Sequence, residues 1–222
     1  MDRSKYIIGI DLGTTHCVLA YAENAMETDQ EPVIQTFMVP QVVSPGDVRN
    51  QPLLPSFLFL PGPHDIPPGG MALPWNPSAD YAVGEFGRKR VAEIPNRLVS
   101  SAKSWLSYAG VDRTEPSLPW DSPAESRKVS PVEASSYFLT HLRDAWNYSL
   151  AADDDAARFE DQEIYLTVPA SFDAVARELT VKAAQAAGLG HLTLIEEPQA
   201  AFYAWIEAQR DRWRKAVRVN ES

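Results

Sequence analysis

The chain has 222 residues, 45% of them hydrophobic, which is enough for one large domain or two small ones around a buried core. Its formal net charge of −10 argues against a general affinity for nucleic acid or anionic membranes, and no apolar run reaches the roughly 18 residues of a membrane span. A single cysteine, Cys17, excludes an internal disulfide and suits a reducing compartment; the charged start Met1-Asp-Arg-Ser-Lys5 does not read as a signal peptide, so a cytoplasmic protein is expected.

In chain order, residues 6–10 and 17–22 read as two β-strands joined by a tight turn, with Cys17 a small packed hydrophobe beside Val18 and Leu19. The segment 40–81 is rich in Pro and Gly, with Pro61-Gly-Pro63 and Pro67-Pro-Gly-Gly70 as loop signals and one short apolar strand at 57–60. Asn96 reads as the N-cap of a short helix in which Leu98, Ala102 and Trp105 or Leu106 share a face. Ser130-Pro-Val-Glu133 is a capping box with proline at the first helical position, and the helix it opens lines up Phe138, Leu142, Trp146 and Ser149. Asp153-Asp-Asp155 then ends that helix as a solvated acidic turn. The last third alternates: a strand at 164–168, a helix from near Asp173 stopped by Gly188, a strand at 192–195 and a helix over 199–214. Basic residues from Arg210 to Arg218 read as a solvated helix end. This order predicts an α/β layer, with helices packed against a sheet.

The chemistry concentrates in Asp11-Leu-Gly-Thr-Thr15. A phosphate needs a concave set of donors, and a glycine lets backbone approach it without a Cβ in the way. Gly13 supplies that freedom, and the hydroxyls and amides of Thr14 and Thr15 can donate to phosphate oxygens. Asp11 would repel phosphate directly, so its sensible role is to face Mg²⁺ through water, an ion that keeps much of its hydration shell. The turn joins two strands, so it is neither a Walker A loop nor a dinucleotide fingerprint, and neither pattern occurs elsewhere. Gly188-Leu-Gly190 imitates the start of the second pattern but follows a helix.

Ile8-Gly-Ile-Asp-Leu-Gly-Thr-Thr15 is similar to the opening of heat-shock protein 70 (DnaK-like) chaperones almost residue for residue. Val168-Pro-Ala-Ser-Phe172, Arg177, Ala187-Gly-Leu189 and Glu197-Pro198 with Ala200-Ala201 follow that family's later pattern in order. Pro55-Ser56 and Ala102-Lys103 fall where the family has a Pro-Ser strand start and a helical lysine. The resemblance implies the first lobe of an actin-like (ribonuclease H-like) ATPase, a mixed β-sheet with flanking helices plus a smaller inserted subdomain. It would place a core subdomain at 1–40 and 130–222 and a Pro-rich peripheral subdomain at 41–129. The implied ligands are ATP or ADP with Mg²⁺. Asp11 would be the metal-facing acid, while Gly13, Thr14, Thr15 and the backbone of His16 would hold phosphate. Lys103 would reach the γ-phosphate and the attacking water, with Glu197 near both metal and water. Pro169 and Arg177 would relay nucleotide state to a peptide-binding domain. The implied partners are a J-domain co-chaperone and a nucleotide exchange factor, in a cytoplasmic stress response.

Two departures stand beside these matches. The Pro-rich stretch between 40 and 95 is longer than the family's usual one, and the sequence reaches Asn220-Glu-Ser222 before a second Gly-rich phosphate loop. The expectation is one lobe of a two-lobed clamp, with the second ATPase lobe and the peptide-binding domain outside it, binding ATP weakly and not turning it over alone. An actin-like sugar or acetate kinase lobe is the alternative within the same fold. A regulatory nucleotide-binding relative without hydrolysis is the other. The Val-Pro-Ala and Glu-Pro pattern with Lys103 favours the chaperone, and the presence of Asp11, Lys103 and Glu197 together argues against lost hydrolysis.

Overall fold

Alternation along the first strand organises the whole architecture. The computed structural model describes residues 4–24, 32–108, 110–123 and 125–213. In β1 (Tyr6–Leu12) the two-residue period sends Ile8, Ile10 and Leu12 into the core and leaves Gly9 and Asp11 exposed on the opposite face. β2 (His16–Glu23) returns antiparallel to β1 across the turn at 13–15, and β3 (Gln35–Thr36) pairs antiparallel with β2. Both strands of the hairpin run one or more residues beyond the stretches expected from hydrophobicity.

The Pro- and Gly-rich region holds more regular structure than its composition suggests. β4 (Val39–Ser44) and β5 (Asp47–Gln51) form a hairpin around Pro45-Gly46, with Gly46 at φ 75° and Val39, Val42 and Val43 buried. β6 (Leu54–Pro55) pairs with the start of β2, and β7 (Phe57–Phe59) lies between β8 (Ala82–Val83) and a later strand in a small three-stranded sheet. α1 (Glu85–Arg88) follows β8, and its Phe86 packs with Phe59, Met71 and Leu98 in a core cluster of its own.

The helix expected from Asn96 is not continuous. Residues 95–97 make one 3-10 turn, β9 (Leu98–Ser100) pairs with β7, and only α2 (Ala102–Trp105) is α-helical. Leu98 belongs to the small cluster and its neighbour Val99 to the main core. Adjacent residues can serve opposite sides in a strand but not in a helix, so tertiary burial overrides the local helical pattern.

α3 (Pro131–Ser149) opens on the expected capping box: Glu133 N–H donates to Ser130 Oγ and Ser130 N–H to Glu133 Oε2. Phe138, Leu142 and Trp146 are buried against the sheet as expected, whereas Ser149 is exposed because the last turn runs past the sheet. Trp146 sits edge-on to Tyr6, Tyr21 and Phe159 and donates its indole N–H to the carbonyl of Ala157 at 2.7 Å. The acidic turn after α3 is solvated as expected at Asp153 and Asp155, while Asp154 also caps the 3-10 turn Asp155–Ala157 and pairs with Lys5 at 2.6 Å.

β10 (Glu163–Val168), α4 (Ala174–Ala186) and β11 (Thr193–Glu196) complete a β-α-β unit. β10 runs parallel to β1 and β11 parallel to β10, giving the sheet order β11-β10-β1-β2-β3 with β6 alongside β2. Asp173 caps α4 and Gly188 at φ 82° follows its end, both as expected. α5 (Glu197–Gln209) begins two residues earlier than anticipated and ends in a 3-10 turn over Arg210–Arg212, while Arg214 and the basic residues up to Arg218 lie outside the described residues. The result is a mixed α/β fold, with α3 and α4 covering one face of the main sheet. No helix among the described residues is long and apolar enough to cross a membrane.

Candidate functional site

Because β1, β10 and β11 are parallel, their carboxyl ends lie side by side, and ligands of α/β sheets bind outside that edge. Asp11 stands near the end of β1, Thr167 near the end of β10, and Glu197 directly after β11 as the first residue of α5, where the helix dipole favours an acid. Thr167 Oγ1 donates to Asp11 Oδ1 at 2.8 Å and fixes that carboxylate.

Lys103 reaches the same edge from α2. Its ammonium donates to Glu197 Oε1 and lies 4.0 Å from Asp11 Oδ1. The lysine side chain is only 4% exposed, against 53% for Asp11 and 43% for Glu197, so a buried stem delivers its charge to two half-open carboxylates. A lysine this deep is retained only when its charge is met. Three residues separated by up to 186 positions in sequence thus converge on one place.

The turn beside them is tightly built. A Cβ on Gly13 would lie 2.3 Å from the carbonyl oxygen of His16, so the close approach that demands glycine is to the chain's own backbone. Thr14 and Thr15 are exposed at the tip. Ser56 Oγ donates to the Gly13 carbonyl at 2.6 Å and Ser56 N–H to the Thr15 carbonyl at 2.9 Å. Ser101 Oγ donates to the Thr14 carbonyl at 3.1 Å. His16 opens β2 opposite Pro55, and among the described residues its ring pairs with none of the three charged groups. Beneath the turn Cys17 is fully buried, its Sγ 3.6 Å from Ser56 Oγ, and burial pushes its thiol up to about 12. It is a packing residue and not a nucleophile.

Pro169 and Arg177 stand one step behind this edge. Phe172 N–H donates to the Pro169 carbonyl at 3.1 Å, Arg177 Nε donates to the Phe172 carbonyl at 3.1 Å, and Arg177 Nη2 to Glu196 Oε1 at 2.7 Å. The arginine therefore ties the turn after β10 to the residue preceding Glu197.

Among the described residues no group of three or more His, Cys, Asp or Glu side chains could cage a metal ion. Two half-exposed carboxylates, Asp11 and Glu197, are the donor set present, which suits a hydrated Mg²⁺ that takes its remaining oxygens from water and phosphate. A hollow of about 840 Å³ adjoins the site on the open face of the sheet, lined by Asp11, Val18, Tyr165, Thr167, Ile195 and Tyr203 among others.

Sequence reasoning named Asp11, Gly13, Lys103 and Glu197, which the structure brings to one edge, but gave no role to Ser101 or Thr167. For Thr167 a signal existed: it is the polar residue at the carboxyl end of a strand parallel to β1, one step beyond the Ile10–Leu166 register pair. For Ser101 the sequence carried none, since its bond to the Thr14 carbonyl is made across 87 positions of chain.

No protein-family model matches the chain. Among curated proteins it is 32% identical over 215 residues to a chaperone protein HscA homolog of Pseudoalteromonas atlantica, covering 91% of this chain and 28% of that relative. It is 29% identical to chaperone protein HscA of Xenorhabdus nematophila, covering 91% of this chain and 29% of the relative, and 29% identical to the Bordetella pertussis homolog, covering 91% and 28%. Over 91% of its length the chain is thus similar to chaperones of the heat-shock protein 70 family. It spans less than a third of the length of the curated relatives it matches.

Proposed function

We propose that this chain is the first lobe of an actin-like, Mg·ATP-hydrolysing chaperone of the DnaK kind, in which hydrolysis drives peptide binding and release. The observation that supports this best is the meeting of Lys103, Asp11 and Glu197 beside the Gly13–Thr15 turn. Residues 1–40 and 130–222 would form the nucleotide-holding subdomain and 41–129 a peripheral one, with a second lobe closing over the cleft.

The reaction asks for positioning and charge stabilisation, not covalent chemistry. Amides and hydroxyls of Thr14 and Thr15, with the backbone at His16, hold the β- and γ-phosphates of ATP. The Lys103 ammonium exchanges its bond to Glu197 for a γ-phosphate oxygen and stabilises the charge that develops as the bond between γ-phosphorus and the bridging oxygen breaks. Glu197, released from the lysine, orients the water whose oxygen bonds to phosphorus in line with the departing ADP, and the water's proton ends on the phosphate product. Mg²⁺, when bound through water by Asp11 and Glu197, neutralises phosphate charge. Thr167 keeps Asp11 pointed at that position. Arg177 and Pro169 transmit the state of Glu197 through Glu196 and the Phe172 turn towards a peptide-binding domain. A J-domain co-chaperone and a nucleotide exchange factor are the partners this cycle requires, in a cytoplasmic stress response.

Phosphate release from Mg·ATP by the full-length protein tests the reading. Hydrolysis that rises with an unfolded peptide and ignores sugars and acetate is expected. Phosphate transfer only when a sugar or acetate is supplied would identify a kinase instead, and nucleotide binding without release under either condition would identify a regulatory relative.

A further inference from the structure

The turn at 13–15 is not held by its hairpin alone. Two serines from distant parts of the chain, Ser56 and Ser101, hold successive carbonyls of it, those of Gly13 and Thr14. A planar trans peptide points its carbonyl and its amide hydrogen in opposite directions. Fixing the Gly13 carbonyl therefore aims the Thr14 N–H away from Ser56, and fixing the Thr14 carbonyl aims the Thr15 N–H away from Ser101.

Ser101 does this from a strained position. Its backbone is left-handed, φ 54° and ψ 41°, a region that residues with a Cβ avoid. That conformation lets one residue make three bonds. Its N–H donates to the Ser56 carbonyl at 3.3 Å, its hydroxyl to the Thr14 carbonyl at 3.1 Å, and its own carbonyl accepts from Ser104 N–H at 2.9 Å. The last of these opens the turn of α2 that carries Lys103. Backbone strain of this kind gathers where geometry must be held.

We propose that Ser101 is a positioning residue: its hydroxyl ties the helix bearing Lys103 to the phosphate turn, so that the amide cradle and the ammonium address a triphosphate as one rigid unit. This rests on the nucleotide reading above. The ligand class is a Mg-bound triphosphate, because the aimed groups are amides and a cation, and the recognition needs no nucleoside.

The test is a titration of this chain with Mg-tripolyphosphate and with Mg·ATP at millimolar concentration, followed by NMR, with thermal unfolding in parallel. In Ser101→Gly the backbone adopts the left-handed region freely and both main-chain bonds survive, so only the hydroxyl's bond is lost. Binding of both ligands about tenfold weaker, at an unchanged or higher Tm, is expected, the loss of roughly one positioned hydrogen bond. Ser101→Asn, which tolerates the same backbone and can donate from its amide, should recover binding to within about threefold of the original. Equal binding by wild type and Ser101→Gly overturns the positioning role while leaving the nucleotide reading intact. A weakening that tracks a lowered Tm, or that Ser101→Asn does not recover, also overturns it. Failure of the wild-type chain to bind either ligand overturns the nucleotide reading itself, and this inference with it.

Discussion

Burying the Lys103 ammonium costs several kcal/mol unless its charge is met, and Glu197 and Asp11 meet it from the solvent side. The arrangement holds the lysine in place before any phosphate arrives. Removing the ammonium leaves two carboxylates that water can reach, so the fold survives, while the charge proposed to stabilise the breaking bond is gone. On the proposed reading of a two-lobed ATPase, Lys103→Ala and Lys103→Met are expected to bind Mg·ATP nearly as the wild type does and to hydrolyse it about 100-fold to 1,000-fold more slowly, the scale of losing one preorganised charge. Single-turnover phosphate release beside equilibrium binding checks both halves. A variant hydrolysing at the normal rate would take Lys103 out of the mechanism. Lys103→Met also keeps most of the stem's packing, so a shared defect points to charge and not to a cavity.

At the scale of elements, one buried imidazole ties α3 to the β4–β5 hairpin. His141 is buried, its Nε2–H donates to the Pro40 carbonyl at 2.9 Å, and Trp75 lies edge-on to its ring. Burial holds the imidazole down at about 4, against a smaller upward pull from the Pro40 carbonyl and from Asp144. The unfolded chain takes up this proton near pH 6.5 and the folded protein only near 4, so the contribution is complete above about pH 6.5 and is lost as pH falls towards 4. Its full size is on the order of 3 kcal/mol. Urea unfolding of wild type and His141→Gln at pH 7.5 and pH 4.5 should show the wild type losing more stability on acidification than the variant. Parallel losses would remove His141 from the account.

The same elements show what a sequence exposes. The capping box at Ser130, the Asp173 cap and Gly188 act through local bonds, and α3 and α4 were legible for that reason. The hairpin at 39–51 was hidden by Pro and Gly, although Pro45-Gly46 is the turn that joins its strands. β9 was hidden more deeply, because Leu98 and Val99 serve different clusters that only the tertiary fold defines. The site divides likewise. Asp11 and Gly13 announce themselves through local pattern, while Lys103 and Glu197, 94 positions apart, were linked only through the family resemblance, and their direct hydrogen bond is a product of the tertiary fold.

For the molecule as a whole, the decisive asymmetry is between the two faces of the sheet. α3 and α4 cover one face, whereas α5 buries none of its residues: Phe202, Tyr203 and Trp205 stand exposed, and Tyr203 lines the hollow that adjoins Asp11. Asp11 and Glu197 remain about half open to water. Charges interact weakly in such a place, since a pair 4 Å apart is worth about 1 kcal/mol in bulk water and several times more once the solvent is displaced. Catalysis of phosphoryl transfer by positioned charges therefore requires something to close over this edge and exclude water. This chain alone is expected to bind Mg·ATP weakly and to release phosphate no faster than buffer does. Adding a second lobe, covalently or as a separate chain, should raise both affinity and rate. A continuous phosphate-release assay on purified chain at saturating Mg·ATP decides the matter. Steady multiple turnover lost in Lys103→Ala would mean that the open edge is already sufficient for catalysis, and the requirement for closure would fall.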